Sequence, residues 1–138
     1  MPAGIRPVKG NLECLRALEA LQVLRPKIRA VFAGPVLDVD YARRFEREIK
    51  RLEGFACWIP EIPPAAMRSA YSGADVILNH SSAEGLSNVL LEAVASGRPI
   101  LASDIRGNRW TVLGENGGPC GCLFRPGDTA DFVRQALR

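Results

Sequence analysis

With 138 residues, 47% of them apolar, and a net charge of +3, the chain is sized for one globular domain with a real core. The charge is too small to argue for nucleic acid, and no apolar run approaches the roughly 18 residues a membrane span needs. The four cysteines (Cys14, Cys57, Cys120, Cys122) and the single histidine, His80, fall short of a zinc site. Free thiols are expected, which fits a reducing compartment. With no such apolar run and no signal peptide at its start, the chain is expected in the cytoplasm, with a peripheral position at the inner membrane face open through a missing partner domain.

In chain order, Met1 to Gly10 reads as the end of a strand followed by a loop, and a strand of ordinary length would need residues before Ala3. The chain is therefore expected to begin inside or just ahead of its first strand. From Asn11 a helix runs to about Leu24, with Leu12, Leu15, Leu18 and Leu21 on its apolar side and Pro26 as its stop. Ile28 to Ala33 is a buried strand ended by Gly34-Pro35. Asp38 to about Leu52 is a charged helix, in which Arg44/Glu48 and Glu46/Lys50 fall at i, i+4; a solvated face is the expected reading. Phe55 to Ile59 is a short strand, and Pro60 to Pro64 a loop whose last proline suits the first turn of a helix reaching about Ser72.

The next strand, Ala74 to Asn79, leads into the stretch that holds most of the chemistry, His80 to Gly97. Small polar residues and a glycine make the turn, and an amphipathic helix follows. Leu86, Val89, Leu90, Ala93, Val94 and Gly97 give its apolar stripe, while Glu84, Asn88 and Glu92 recur every four residues along a line away from that stripe. Gly97-Arg98-Pro99 ends the helix, with Gly97 suited to the left-handed C′ position. Ile100 to Ser103 is a strand, and a short helix or irregular segment surrounds Trp110 to Leu113. Glu115 to Pro119 is a loop, Cys120 to Phe124 a last strand, and Asp128 the N-cap of a C-terminal helix.

Strand and helix thus alternate about six times, which implies an α/β domain with a mainly parallel sheet and helices on both faces. Ligands of such sheets bind beyond the C-terminal ends of the strands. Two turns there carry chemistry: one with Arg6 and Lys9, the other with Glu84 to Asn88. A strand, a polar turn and a helix start bind anions, because the first helical N–H groups lack partners and the dipole favours negative charge. Arg6 can fork two phosphate oxygens and Lys9 can supply a point charge, although both also suit exposed loop cations. Gly85 leaves the backbone open to a ligand. Glu92 can accept from a ribose diol or simply lie on the surface, and Glu84 can serve the ligand or the helix dipole. His80 can reach the ligand or pack under the loop; Trp58 reads better as a partial core residue than as a stacking platform.

The pattern from Ser81-Ser82 through Glu84-Gly85-Leu86-Ser87-Asn88-Val89-Leu90-Leu91-Glu92 to Gly97-Arg98-Pro99 resembles the C-terminal domain of family 4 retaining glycosyltransferases of the GT-B fold (glycosyltransferase group 1). The likeness covers essentially the whole chain. It includes the opening loop Gly4 to Gly10, Ala33-Gly34-Pro35, Ala74-Asp75-Val76, the loop Ser103 to Gly107, and the ending Gly121 to Asp128. The resemblance implies a Rossmann-like doubly wound sheet of about six strands, one half of a GT-B fold, over residues 1–138. It implies a nucleotide-diphosphate sugar as donor substrate, with no cofactor and no metal. Lys9 and Arg6 would hold the diphosphate and stabilise the leaving group; Glu84 would face the sugar, with Gly85, Leu86, Ser87 and Asn88 beside sugar and phosphate. Glu92 would bind the ribose, and the base would lie near Trp58 to Ile62, against Ile59 and Glu61.

Three departures from the family pattern touch the site. The spacing from Arg6 to Lys9 is short, Pro60-Glu61 stands where a glycine is usual, and Trp110 stands where a glutamate often follows Gly107. The resemblance also implies an absent N-terminal acceptor domain as partner, an unknown acceptor (sugar, lipid or protein), and little or no transfer by this chain alone. The competing expectations are a nucleotide-sugar-binding module without catalysis and a fragment of a GT-B sugar-nucleotide epimerase.

Overall fold

The structure is a computed structural model that describes residues 1–114 and 118–138. Among these residues five strands and six α-helices alternate: α1 (Asn11–Leu24), β1 (Ala30–Ala33), α2 (Val39–Arg51), β2 (Ala56–Ile59), α3 (Pro64–Ser72), β3 (Ile77–Asn79), α4 (Asn88–Ala95), β4 (Ile100–Ser103), α5 (Arg106–Leu113), β5 (Gly121–Phe124) and α6 (Thr129–Ala136). The boundaries follow local chemistry. Asp38 and Asp128 cap α2 and α6, their carboxylates accepting from Tyr41 N at 2.9 Å and Asp131 N at 2.8 Å. Pro64 opens α3, where its missing N–H is not needed. Gly97, at φ 64°, ends α4 with Gly97 N donating to Val94 O and Arg98 N to Ala93 O, both at 2.9 Å, a pairing that satisfies two of the helix's last carbonyls.

All strand pairs are parallel, as right-handed strand–helix–strand crossovers require. The expected fold is α/β with helices on both faces, and that is what forms. The sheet, however, is in two parts: β1 pairs with β2, and β3, β4 and β5 form a separate three-stranded sheet. The expected sixth strand at the N-terminus is reduced to two isolated parallel bridges, Pro2 with Ala33 and Ile5 with Val36. Too few residues lie beside β1 to sustain a ladder. The two half-sheets are held together by α1, which packs on α6, and by a shared core. Phe32 and Phe45 on one side meet Phe124 and Phe132 on the other through the leucines of α1. Each of these fully buried rings contributes roughly 1.5–3 kcal/mol. A second, smaller core lies on the opposite face of the three-stranded sheet, around Tyr71, Leu90, Ile100 and Val112.

Other expectations shift in detail. α4 starts at Asn88, so Glu84 lies in the turn before the helix and not on a helical line with Asn88 and Glu92. The buried stripe is narrower than expected: Leu90 and Ala93 are buried, while Leu86 and Val94 are exposed, because a helix this short presents only its middle turn to the sheet. On α2, Glu46 pairs with Lys50 at 3.0 Å, but Glu48 pairs with Arg51, not Arg44, and Arg51 reaches across to both oxygens of Glu19 on α1 at 2.8 Å. Part of the expected loop Glu115 to Pro119 lies outside the described residues. No helix among the described residues is long and apolar enough to cross a membrane.

Candidate functional site

The C-terminal ends of the strands converge on one rim, and the turns leaving it carry most of the side chains expected at the site. After Ile5 the chain makes a single 3₁₀ turn, Pro7–Lys9, fixed by Pro7 and closed by Gly10 in the left-handed conformation (φ 62°). A side chain at Gly10 would meet the carbonyl of His80, so glycine lets this turn sit directly against the turn that follows β3. Ser82 N also donates to Val8 O at 2.9 Å. Two turns 75 residues apart in sequence are thereby locked together, and Lys9 Nζ meets Glu84 Oε1 at 2.5 Å.

Glu84 is the better buried partner of that pair, its side chain 12% exposed against 20% for Lys9. Burial pushes its carboxyl up, but hydrogen bonds from Lys9 Nζ and Ser81 Oγ (2.7 Å), with the charge of Lys9, outweigh burial and hold it below the usual carboxylate range. The carboxylate is therefore ionised at neutral pH and fixed in place.

The turn from His80 to Ser87 is itself held from below by buried polar groups. Asn79, the last residue of β3, accepts from Ser81 N at 3.0 Å and donates to Ser87 Oγ at 3.1 Å. Ser103, the last residue of β4, donates to Ser81 O at 2.6 Å. Asn108 on α5 donates to Asn79 Oδ1, Ser103 O and Ser103 Oγ at 3.0–3.3 Å. All five are at most 6% exposed. Gly107, also on α5, packs against the backbone of Glu84 and Gly85 so closely that a Cβ would displace the turn. Because Ser87 Oγ is turned toward Asn79, it does not cap α4, and the first N–H groups of that helix stay available beyond the rim.

The remaining expected residues fall at distinct places on this rim. Arg6 is exposed at the entry of the 3₁₀ turn, and its backbone N donates to Asn11 Oδ1 at 3.2 Å. Around Gly85 there is open space within 4 Å of any added Cβ; Leu86 and Asn88 are exposed and Ser87 is buried. Glu92, on the outer side of α4, accepts a hydrogen bond from Tyr71 Oη of α3 at 2.6 Å. Ile59 and Glu61 are exposed at the end of β2, where Glu61 borders a 250 Å³ cavity with Gly4, Gly34, Ile62, Met67 and Val89. Trp58 is a partial core residue: its ring lies edge-on to Phe45 at 6.0 Å and its indole N–H donates to Gly34 O at 3.0 Å. His80 is packed beneath the loop, 4.9 Å from the ring of Phe124 and 6.0 Å from Phe132, and burial lowers its pKa, which favours the neutral imidazole.

The structure thus joins Lys9 to Glu84 and sets the open start of α4 beside them, while Ile59, Glu61 and Glu92 line the neighbouring stretch of rim. Sequence reasoning missed Asn79, Ser81, Ser103, Asn108 and Tyr71. A polar residue closing an apolar run was a usable signal for Asn79 and Ser103; nothing local marks Asn108 or Tyr71. Chemically, a cation, the ionised carboxylate of Glu84 and an unfilled helix start fit a ligand with both phosphate and hydroxyl groups.

A family profile described as "Glycosyl transferases group 1" matches residues 3–138. Among individual proteins, "Glycosyltransferase 1 domain-containing protein 1" of Xenopus tropicalis is 28% identical over 115 residues, 83% of this chain and 33% of its own length. The sulfoquinovosyl transferase of Arabidopsis thaliana is 29% identical over 124 residues, 90% of this chain and 23% of its own length. Among solved structures, Anabaena HepE in complex with UDP superposes with a TM-score of 0.81 at 25% identity, over 96% of this chain and 35% of that one. The chain therefore spans only about a quarter to a third of each of these proteins.

Proposed function

The chain belongs to the group 1 glycosyl transferases, and we propose that it forms the donor-binding half of a retaining enzyme that moves a sugar from a nucleoside diphosphate to an acceptor. The observation that carries this reading is the meeting of Lys9 with Glu84 beside the uncapped start of α4. HepE, whose fold this chain shares, is described with UDP bound, which supports a nucleotide sugar as ligand.

In this reading the donor diphosphate lies over the start of α4, contacted by the amides of Gly85, Leu86 and Ser87 with Asn88 at its side, and by Lys9 with Arg6 from the facing turn. As the glycosidic bond breaks, negative charge grows on the departing diphosphate. Cations and N–H dipoles already in place stabilise that charge without reorganising, and this is where the rate gain arises. No metal is assigned to that task. Glu84, fixed by Ser81 and ionised, orients the sugar through its hydroxyls; incoming phosphate competes for Lys9 and frees one carboxylate oxygen for them. Glu92, oriented by Tyr71, accepts from the ribose diol. The base lies along Ile59 and Glu61, and His80 supports the loop from beneath. The acceptor enters from a second, N-terminal domain of the GT-B pair, so the chain by itself binds donor weakly and transfers poorly.

The test is calorimetric or NMR titration of the chain with UDP, GDP and ADP sugars. One of the three is expected to bind, with Lys9→Ala weakening it at least tenfold and Glu92→Ala severalfold at unchanged far-UV circular dichroism. Absence of binding by all three, or binding indifferent to both substitutions, overturns the site. Epimerisation of a bound donor would move the chain to a different GT-B activity.

A further inference from the structure

The 250 Å³ cavity on the rim lies where β1 and β2 end against α3 and α4: Gly34 and Pro35 follow β1, Ile62 follows β2, Met67 belongs to α3 and Val89 to the first turn of α4. Among the described residues that border it, Glu61 alone has a polar side chain. The carboxylates of Glu84 and Glu92 already have partners, Lys9 with Ser81 for the first and Tyr71 for the second. Glu61 is exposed and enters no ion pair among the described residues. Its loop is stiff. Pro60 and Pro63 fix φ on either side of Glu61 and Ile62, so little freedom is lost when the carboxylate engages a ligand.

We propose that Glu61 selects the base of the donor, and that the base it selects is guanine; this rests on the donor-binding reading above. Val89 and Glu92 are three residues apart on α4 and share one side of it. A ligand with its diphosphate at the start of α4 and its ribose at Glu92 has its base beside Val89, at this cavity. The volume is under the roughly 300 Å³ at which clefts for whole drug-sized ligands begin, and it suits one flat ring system. Ile62, Val89 and the thioether of Met67 offer apolar contact to the faces of such a ring. What remains for recognition is the edge, and there a carboxylate only accepts, through two oxygens side by side. Guanine is the common base that presents two adjacent donors, N1–H and the 2-amino group. Uracil has a single N3–H between two carbonyl oxygens, which repel a carboxylate. Adenine and cytosine each set one amino group beside a ring nitrogen that accepts. Glu61 thus favours guanine by pairing and disfavours the others by repulsion.

The experiment titrates the 138-residue chain with GDP, IDP, UDP and ADP, following backbone amide shifts by NMR, and repeats the series on Glu61→Gln and Lys9→Ala. GDP is expected to bind at least about tenfold more tightly than UDP or ADP, the discrimination of one bidentate pair, and to shift the amides of Glu61 and Ile62. IDP, whose base is guanine without the 2-amino group, keeps one of the two bonds and is expected severalfold below GDP. Glu61→Gln replaces one acceptor with a donor. It is expected to remove most of the preference for GDP and to strengthen UDP, whose N3–H and neighbouring carbonyl match a carboxamide. Lys9→Ala is expected to weaken all four nucleotides alike. Equal binding of GDP and UDP, equal binding of GDP and IDP, or a preference that survives Glu61→Gln overturns the selection by Glu61 and leaves the diphosphate site standing. Failure of all four to bind, or binding indifferent to Lys9→Ala, overturns the donor-binding reading and the base selection with it.

Discussion

The two half-sheets are built on opposite principles. The β1–β2 half is held by apolar packing, with Phe32, Phe45 and the leucines of α1 in one cluster, and it keeps its charges on the surface in the network of Arg51 with Glu19 and Glu48. The β3–β4–β5 half has the smaller separate core and buries polar groups instead: Asn79, Ser81, Ser87, Ser103 and Asn108. Polar burial is unfavourable unless every group finds a partner, so a domain accepts it where position matters more than stability. Here what is positioned is the turn carrying Glu84. The β1–β2 half contributes its cation, Lys9, from a turn that needs only a proline, a glycine and the contact with His80.

The sharpest break of this comparison is Asn108→Ala. It leaves Asn79 Oδ1 and two oxygens of Ser103 one donor short in a buried site, a loss of about 2–4 kcal/mol. A fall of roughly 10 °C in melting temperature is expected, with a matching loss of donor affinity because Glu84 is released. Arg51→Ala, at the centre of the other half's surface network, is expected to leave the melting temperature within error. Equal effects from the two substitutions, read by calorimetric scans, would erase the distinction.

The contrast also explains what could be read from sequence. Apolar periodicity and prolines marked a helix from Asn11 to about Leu24, one from Pro64 to about Ser72 and the strand Ile100–Ser103, close to the observed bounds, because each boundary is set by a neighbour in sequence. The split sheet was not legible, since strand pairing depends on which backbones lie side by side. Lys9 and Glu84 were identified singly, but their ion pair bridges 75 residues, and only the fold brings them together. The buried network was missed for the same reason: Asn108 looks like any polar residue in a short helix until β3 and β4 end beneath it.

A second, intermediate effect sharpens the comparison from the β1–β2 side. Burial pushes the Met1 amine down from 8.0 to about 6, with no full charge partner to offset it. The folded state therefore binds fewer protons than the unfolded one between those values. Its contribution to stability is present above pH 8 and is lost as the pH falls through 6, about 3 kcal/mol for two pH units. His80, also lowered, acts in the same direction near neutrality. Acetylating Met1 isolates the amine: the difference in denaturant midpoint between free and acetylated chains is expected to grow from pH 8 to pH 5. A constant difference would mean that the amine is hydrated in the folded chain.

The smallest expected effect is at the seam between the halves. Tyr71 is buried and donates to exposed Glu92, and burial, with that carboxylate, raises the phenol's pKa, so it stays a donor over the working range. Tyr71→Phe keeps the ring that packs in the smaller core, so stability should change by less than about 1 kcal/mol. What it removes is the orientation of Glu92. If Glu92 holds the ribose as proposed, KM for the donor in a full-length enzyme carrying this domain is expected to rise about threefold to tenfold with kcat nearly unchanged, because such a contact is made equally in ground and transition states. A fall in kcat at constant KM would instead place Glu92 at the reacting centre, and an unchanged KM would mean that Glu92 orients itself without its partner from α3.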